Sequence, residues 1–129
     1  MSGQPMSNLK NYPRIAIVGP CSSGKSTLRE ALHTAGYANV RNPAQEHSYV
    51  PDMWRKLSKP DLLIFLDVDY AATLQRRPHQ DLGAKRIQEQ KQRLAHARQN
   101  ADFYLDTSQL NPQQVQQQVL AFLAERSNA

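Results

Sequence analysis

The sequence is poor in cysteine, glycine and acids, and it contains no long apolar run. The one cysteine of the 129-residue chain, Cys21, allows no internal disulfide. That excludes a disulfide-stapled scaffold and fits a reducing compartment. The longest strongly apolar stretch, Leu62 to Leu66, is far short of the roughly 20 residues that a membrane helix needs. Met1 to Tyr12 is polar and lacks the apolar centre of a signal peptide. It reads as a flexible leader, with too little apolar surface to offset the entropy of ordering, ahead of one folded unit over 13–129. These readings predict a cytoplasmic protein with no membrane partner. Acids are outnumbered, 11 Asp and Glu against 16 Lys and Arg, for a net charge of +5. The surplus suits a polyanionic ligand without choosing which one.

Glycine is scarce, five in all, yet two of the five stand in one octapeptide, Gly19-Pro20-Cys21-Ser22-Ser23-Gly24-Lys25-Ser26. This matches in full the P-loop pattern of two glycines with four residues between them, followed by Lys-Ser. Its setting agrees. Ile15-Ala16-Ile17-Val18 before it reads as a strand buried on both faces. Ser26 to Ala35 after it reads as a helix, with Leu28, Ala31, Leu32 and Ala35 on one face and Gly36 as its stop. Glycines let successive amides curl around one anion, and the helix start adds its positive end. In this chemistry Lys25 bridges the β- and γ-phosphates, the Ser26 hydroxyl serves Mg²⁺, and Thr27 is placed to meet the α-phosphate. Cys21 inside the loop has two readings, a small residue facing away from phosphate or a redox-sensitive thiol.

Further elements follow from periodicity and punctuation. Tyr37 to Arg41 predicts a second strand ended by Pro43, and 44–59 reads as loop with a helical turn near Met53 to Leu57. Leu62 to Leu66 predicts a buried strand running into Asp67 and Asp69, and Tyr70 to Arg77 a helix stopped by Pro78. Lys85 to Asn100 predicts a polar helix with a thin apolar side of Ile87, Leu94 and Ala97. Asp102 to Asp106 predicts a strand. Asn111-Pro112 with Gln114 reads as the capped start of a last helix, whose stripe is Val115, Val119, Phe122 and Leu123. Alternating strands and helices predict an α/β fold, a small three-layer domain of the P-loop NTPase type with about four parallel strands.

The stretch Lys59-Pro60-Asp61-Leu62-Leu63-Ile64-Phe65-Leu66-Asp67-Val68-Asp69, followed by 71–77, resembles the segment before the arginine-rich lid of thymidylate and deoxynucleoside kinases. Val40-Arg41-Asn42-Pro43 is similar to the Arg-Glu-Pro stretch of thymidylate kinases, with Asn42 in place of the acid. Ala101 to Val115, with Tyr104-Leu105-Asp106-Thr107-Ser108 inside it, is similar to the last strand and helix start of many small P-loop kinases. The resemblance implies ATP with Mg²⁺, a small phosphoryl acceptor, and cations where the lid begins. Arg76 and Arg77 hold that position; Arg86, Arg93 and Arg98 are further cations that a solvated helix face explains as well. Those kinases carry one more strand, ending in an acid, between their second strand and the Pro-Asp-Leu strand. Here 37–60 has room for a strand and a short helix only. Either that acid is missing here or Glu46 replaces it, delivered to the metal or acceptor hydroxyl by a strand over Tyr37 to Arg41 lying beside the glycine loop's own. Asp67 is the alternative carboxylate for Mg²⁺, while Asp69 reads as a helix cap. His47, Tyr49 and Trp54 are candidates to line an acceptor pocket. His33, His79 and His96 show no metal-ligand spacing.

The function expected is ATP-dependent phosphoryl transfer in the style of nucleoside or nucleotide kinases. The alternative is an ATPase or nucleotide switch without an acceptor. Nucleic-acid binding through 85–98 ranks below both, because no aromatics interleave that helix. No guanine-reading Asn-Lys-x-Asp occurs.

Overall fold

The computed structural model describes residues 13–128, so the leader expected at 1–12 lies outside the described residues. In chain order the elements are β1 (Ile15–Val18), α1 (Lys25–Thr34), β2 (Val40–Arg41), a 3₁₀ turn (Gln45–His47), α2 (Met53–Ser58), β3 (Leu62–Asp67), α3 (Tyr70–Arg76), α4 (Ala84–Arg93), α5 (Ala95–Asn100), β4 (Phe103–Asp106) and α6 (Pro112–Asn128). The four strands form one parallel sheet in the order β2-β1-β3-β4. β1 and β3 are apolar along their length apart from Asp67, and every residue in them is buried, as parallel strands covered on both faces require.

Alternate side chains go to two cores. Ile15, Ile17, Leu62, Ile64 and Leu66 pack against Leu28 and Leu32 of α1 and Val115, Val119 and Leu123 of α6. On the other face Ala16, Val18, Leu63 and Phe65 pack against Trp54, Leu94 and Ala97. Trp54 is thus core, and its indole N–H donates to His96 Nδ1 at 3.2 Å. Helices therefore cover both faces of the sheet.

Local signals set most boundaries. The Gly36 and Tyr37 amides close α1 on the His33 and Leu32 carbonyls, the paired bonds of a Schellman stop. Asp69 caps α3 through the Ala72 amide at 2.8 Å, and Asn111 with Gln114 makes the reciprocal capping box of α6.

Two expectations are corrected. The strand foreseen over Tyr37–Arg41 pairs only at Ile15↔Val40 and Ala16↔Arg41, because Tyr37 is used to close α1. The helix foreseen over 85–100 breaks at Leu94, whose side chain is fully buried and whose amide is shared between the Gln90 and Lys91 carbonyls. The break lets α5 turn Ala97 onto the sheet beside Leu94.

Candidate functional site

Gly19 opens the loop at the end of β1. A Cβ there would stand 2.0 Å from the Leu66 carbonyl oxygen of β3 and 2.9 Å from Ser23 Oγ, so only glycine fits between the strands. Ser22 follows with φ 67°, in the left-handed region that a tight curl demands. No side chain caps α1, its first turn holds no acid, and the Gly24, Lys25 and Ser26 amides meet no protein acceptor among the described residues. Donors left open at a helix start favour an anion. The Ser26 and Thr27 side chains are exposed there.

Lys25 folds back over the loop. Its ammonium donates to Gly19 O at 2.6 Å, Pro20 O at 3.1 Å and Glu46 Oε2 at 2.9 Å, which uses all three of its protons. The Glu46 side chain is 7% exposed. β2 lies directly beside β1, so the chain leaving it reaches the loop within a few residues and delivers Glu46 on the 3₁₀ turn. Gln45 fixes that turn: its amide donates to Val50 O (2.8 Å) and Arg93 O (3.2 Å) and accepts from the Trp54 amide (2.7 Å). Arg93 adds a bond to Glu46 O. Glu46 Oε1 is buried with no hydrogen-bond partner.

The opposite flank is built by Thr107 and Arg76. The buried Thr107 hydroxyl lies 3.1 Å from Ser23 O and 2.9 Å from Asp67 O. The Arg76 guanidinium donates to Ser22 O at 2.7 Å, to Thr107 Oγ1 at 3.1 Å and to Thr107 O. Partial burial holds its pKa below the usual arginine value, against the attraction of Asp69 and Asp106. Arg76 thus braces the loop rather than projecting from it, while the Arg77 side chain donates to the exposed Gln80 at 3.2 Å. Both border a cavity of about 510 Å³ that also touches Ser22, Ser23, Gly24, Thr27, Leu110 and Pro112.

Other candidates lie apart. The Asp67 carboxylate is held by the Tyr104 hydroxyl at 2.5 Å, its neighbour's amide at 2.9 Å and Lys91 Nζ at 3.6 Å, all on the β3–β4 flank. His47, Tyr49 and Trp54 do not gather into a pocket. Trp54 is core, Tyr49 is 85% exposed under the Arg93 guanidinium, and His47 sits beside Cys21.

Sequence reasoning missed Gln90 and Thr107. Gln90 is buried; its Oε1 accepts from the Cys21 amide at 3.0 Å and its Nε2 donates to Cys21 Sγ at 3.3 Å. A signal existed, because Gln90 falls on the Ile87–Leu94 stripe, where an apolar residue is the rule. Thr107 follows directly on the end of β4, the sheet edge where α/β folds place ligands.

The Asp67–Tyr104 contact carries a testable consequence. Burial first, then the hydrogen bond and charge of Asp67, push the Tyr104 phenol up to about 12. An unfolded tyrosine ionises near about 10. The contribution of Tyr104 to stability is therefore fully present below that pH and is lost as pH climbs through its folded value. Phenolate absorbance should show a late component that disappears in Tyr104→Phe and moves to lower pH in Asp67→Asn. An unmoved midpoint in Asp67→Asn refutes the coupling.

No protein-family model matches the chain, and no curated protein matches it significantly. Among the described residues no helix is long and apolar enough to cross a membrane.

Proposed function

We propose that the chain binds Mg·ATP on the Gly19–Ser26 loop and transfers the terminal phosphoryl group to a small hydroxyl acceptor, as a P-loop kinase-like phosphotransferase. The observation that carries this is the Lys25 ammonium folded over an uncapped helix start, with the Glu46 carboxylate against it at 2.9 Å. The open amides would cradle phosphate, and Lys25 would exchange its loop carbonyls for phosphate oxygens. The cavity of about 510 Å³ beside Thr27 and Arg77 has the size for a base and ribose.

By donor chemistry Mg²⁺ would be held by the exposed Ser26 hydroxyl and by the Glu46 carboxylate, one oxygen of which is buried without a partner. When bound, the ion would neutralise charge on the phosphates. Asp67 is the alternative carboxylate; both its oxygens have partners, whereas Glu46 keeps one oxygen without any, which favours Glu46. Glu46 would accept the proton of an attacking hydroxyl once Lys25 moves to phosphate. Arg76, through Ser22 O and Thr107, holds the loop's shape.

A second reading, an ATPase or switch without an acceptor, is favoured by one observation. α4 and the 3₁₀ turn close on the loop beside Glu46, through the Gln90–Cys21 and Gln45–Arg93 bonds, and Glu46 does not line the cavity of about 510 Å³. Incubation with Mg·ATP and a panel of nucleosides, nucleotides and other hydroxyl compounds separates the two. A phosphorylated acceptor, formed at least about a hundredfold more slowly by Glu46→Gln, is the expected result. Free phosphate as the only product supports the second reading, and no turnover with any acceptor or water removes both.

A further inference from the structure

We propose that Cys21, Glu46 and His47 form a binding site for a thiophilic divalent cation, with Zn²⁺ the best match. One sulfur, one carboxylate oxygen and one imidazole nitrogen from these residues all lie within 4.8 Å of one another. Cys21 Sγ is 3.9 Å from His47 Nε2, which is 3.8 Å from Glu46 Oε2. Tetrahedral zinc, with bonds of about 2.0–2.3 Å, sets neighbouring ligand atoms roughly 3.3–3.6 Å apart. The two separations that involve His47 need to close by a few tenths of an ångström, and the widest of the set, within 4.8 Å, by up to about an ångström. The His47 side chain, 58% exposed, is free to make that turn.

The independent sign of a ligand is Glu46 Oε1. It is buried and unpartnered while its sister oxygen is committed to Lys25 at 2.9 Å. A buried carboxylate oxygen without a donor is costly, and a cation drawn to this carboxylate lowers that cost. The sulfur has a supporting shell already. The Gln90 amide donates to Sγ, and its carbonyl accepts from the Cys21 amide, which fixes the orientation of Cys21.

Donor chemistry selects the metal. Sulfur and imidazole nitrogen disfavour Mg²⁺ and suit Zn²⁺. Binding forms the metal–sulfur bond and releases the thiol proton to the buffer. Three protein ligands leave a fourth position for water. The ligands come from a loop and from a turn 25 residues further on, so no local spacing announces them.

The site is tested on the full-length, metal-free protein without nucleotide, so its outcome is independent of the phosphate reading. Titration with Zn²⁺ against a chromophoric chelator should give one tight equivalent. Cys21→Ser and His47→Ala should each weaken it by at least about tenfold, since even supporting-shell changes cost that much. His79→Ala, remote from the cluster, should bind as the parent does. With Co²⁺ the parent should show a sulfur-to-cobalt charge-transfer band in the near ultraviolet, and this reading needs no variant to fold. Absence of that band overturns the proposal, as does a Cys21→Ser protein that stays folded by circular dichroism and takes up zinc as the parent does.

Discussion

Lys25→Ala is expected to lose measurable Mg·ATP binding in calorimetry and to lose stability in the same step. The two losses have different causes. Nucleotide binding fails because the one ammonium folded over the loop is gone. A single preorganised charge donor is commonly worth about 10²–10³ in rate, so turnover should fall at least that far. Stability falls because the Glu46 carboxylate, 7% exposed, is left without its cation. Removing one partner of a buried pair costs about 3–5 kcal/mol. Lys25→Ala combined with Glu46→Gln separates the effects. Urea denaturation should show most of the stability restored, because a neutral amide is cheaper to bury, while calorimetry still shows no binding. A Lys25→Ala protein that binds Mg·ATP as the parent does would sink the phosphate reading.

Gly19→Ala is expected to destabilise the fold by about 3 kcal/mol or more, because the new Cβ meets backbone rather than a yielding side chain. Its clash is with the Leu66 carbonyl at 2.0 Å, and relief requires β1 and β3 to separate in the middle of the sheet. The melting midpoint should drop by roughly 10 °C or more. Gly24→Ala is the internal comparison. No atom lies within 4 Å of its Cβ, and its cost is the left-handed backbone at φ +99°, about 1–2 kcal/mol. Equal thermal shifts in the two variants would show that strand approach is not what fixes Gly19.

What could be read in the sequence divides by range. β1, β3 and the capped ends of α3 and α6 were legible, because each is written in adjacent residues: an unbroken apolar run, Asp69 before Tyr70-Ala71-Ala72, Asn111 three before Gln114. The glycine loop was legible as a motif, and the position of β2 beside β1 followed from the shortness of 37–60. The break at Leu94 was not, since it follows from a sheet surface that only the tertiary fold supplies. The engagement of Asp67 was hidden for the same reason. Tyr104, 37 residues away, and Lys91 take its carboxylate across the β3–β4 flank, and nothing local to 62–69 reveals them. Arg76 was found by position, yet its duty as a brace depends on carbonyls at Ser22 and Thr107 that have no local trace in the chain. Gln90 shows the limit most clearly: a polar residue on an apolar stripe announces a buried partner without saying which one.

The sheet ends at one side in the two-residue β2 and at the other in the four-residue β4, which terminates in Asp106. Unpaired strand rims invite other chains to add on, and proteins blunt them by brevity and charge. Here the hydrogen-bonding frontage offered to a neighbour is at most a few peptide groups on either margin. A crowded solution of this protein therefore has little template from which to grow fibrils by edge addition.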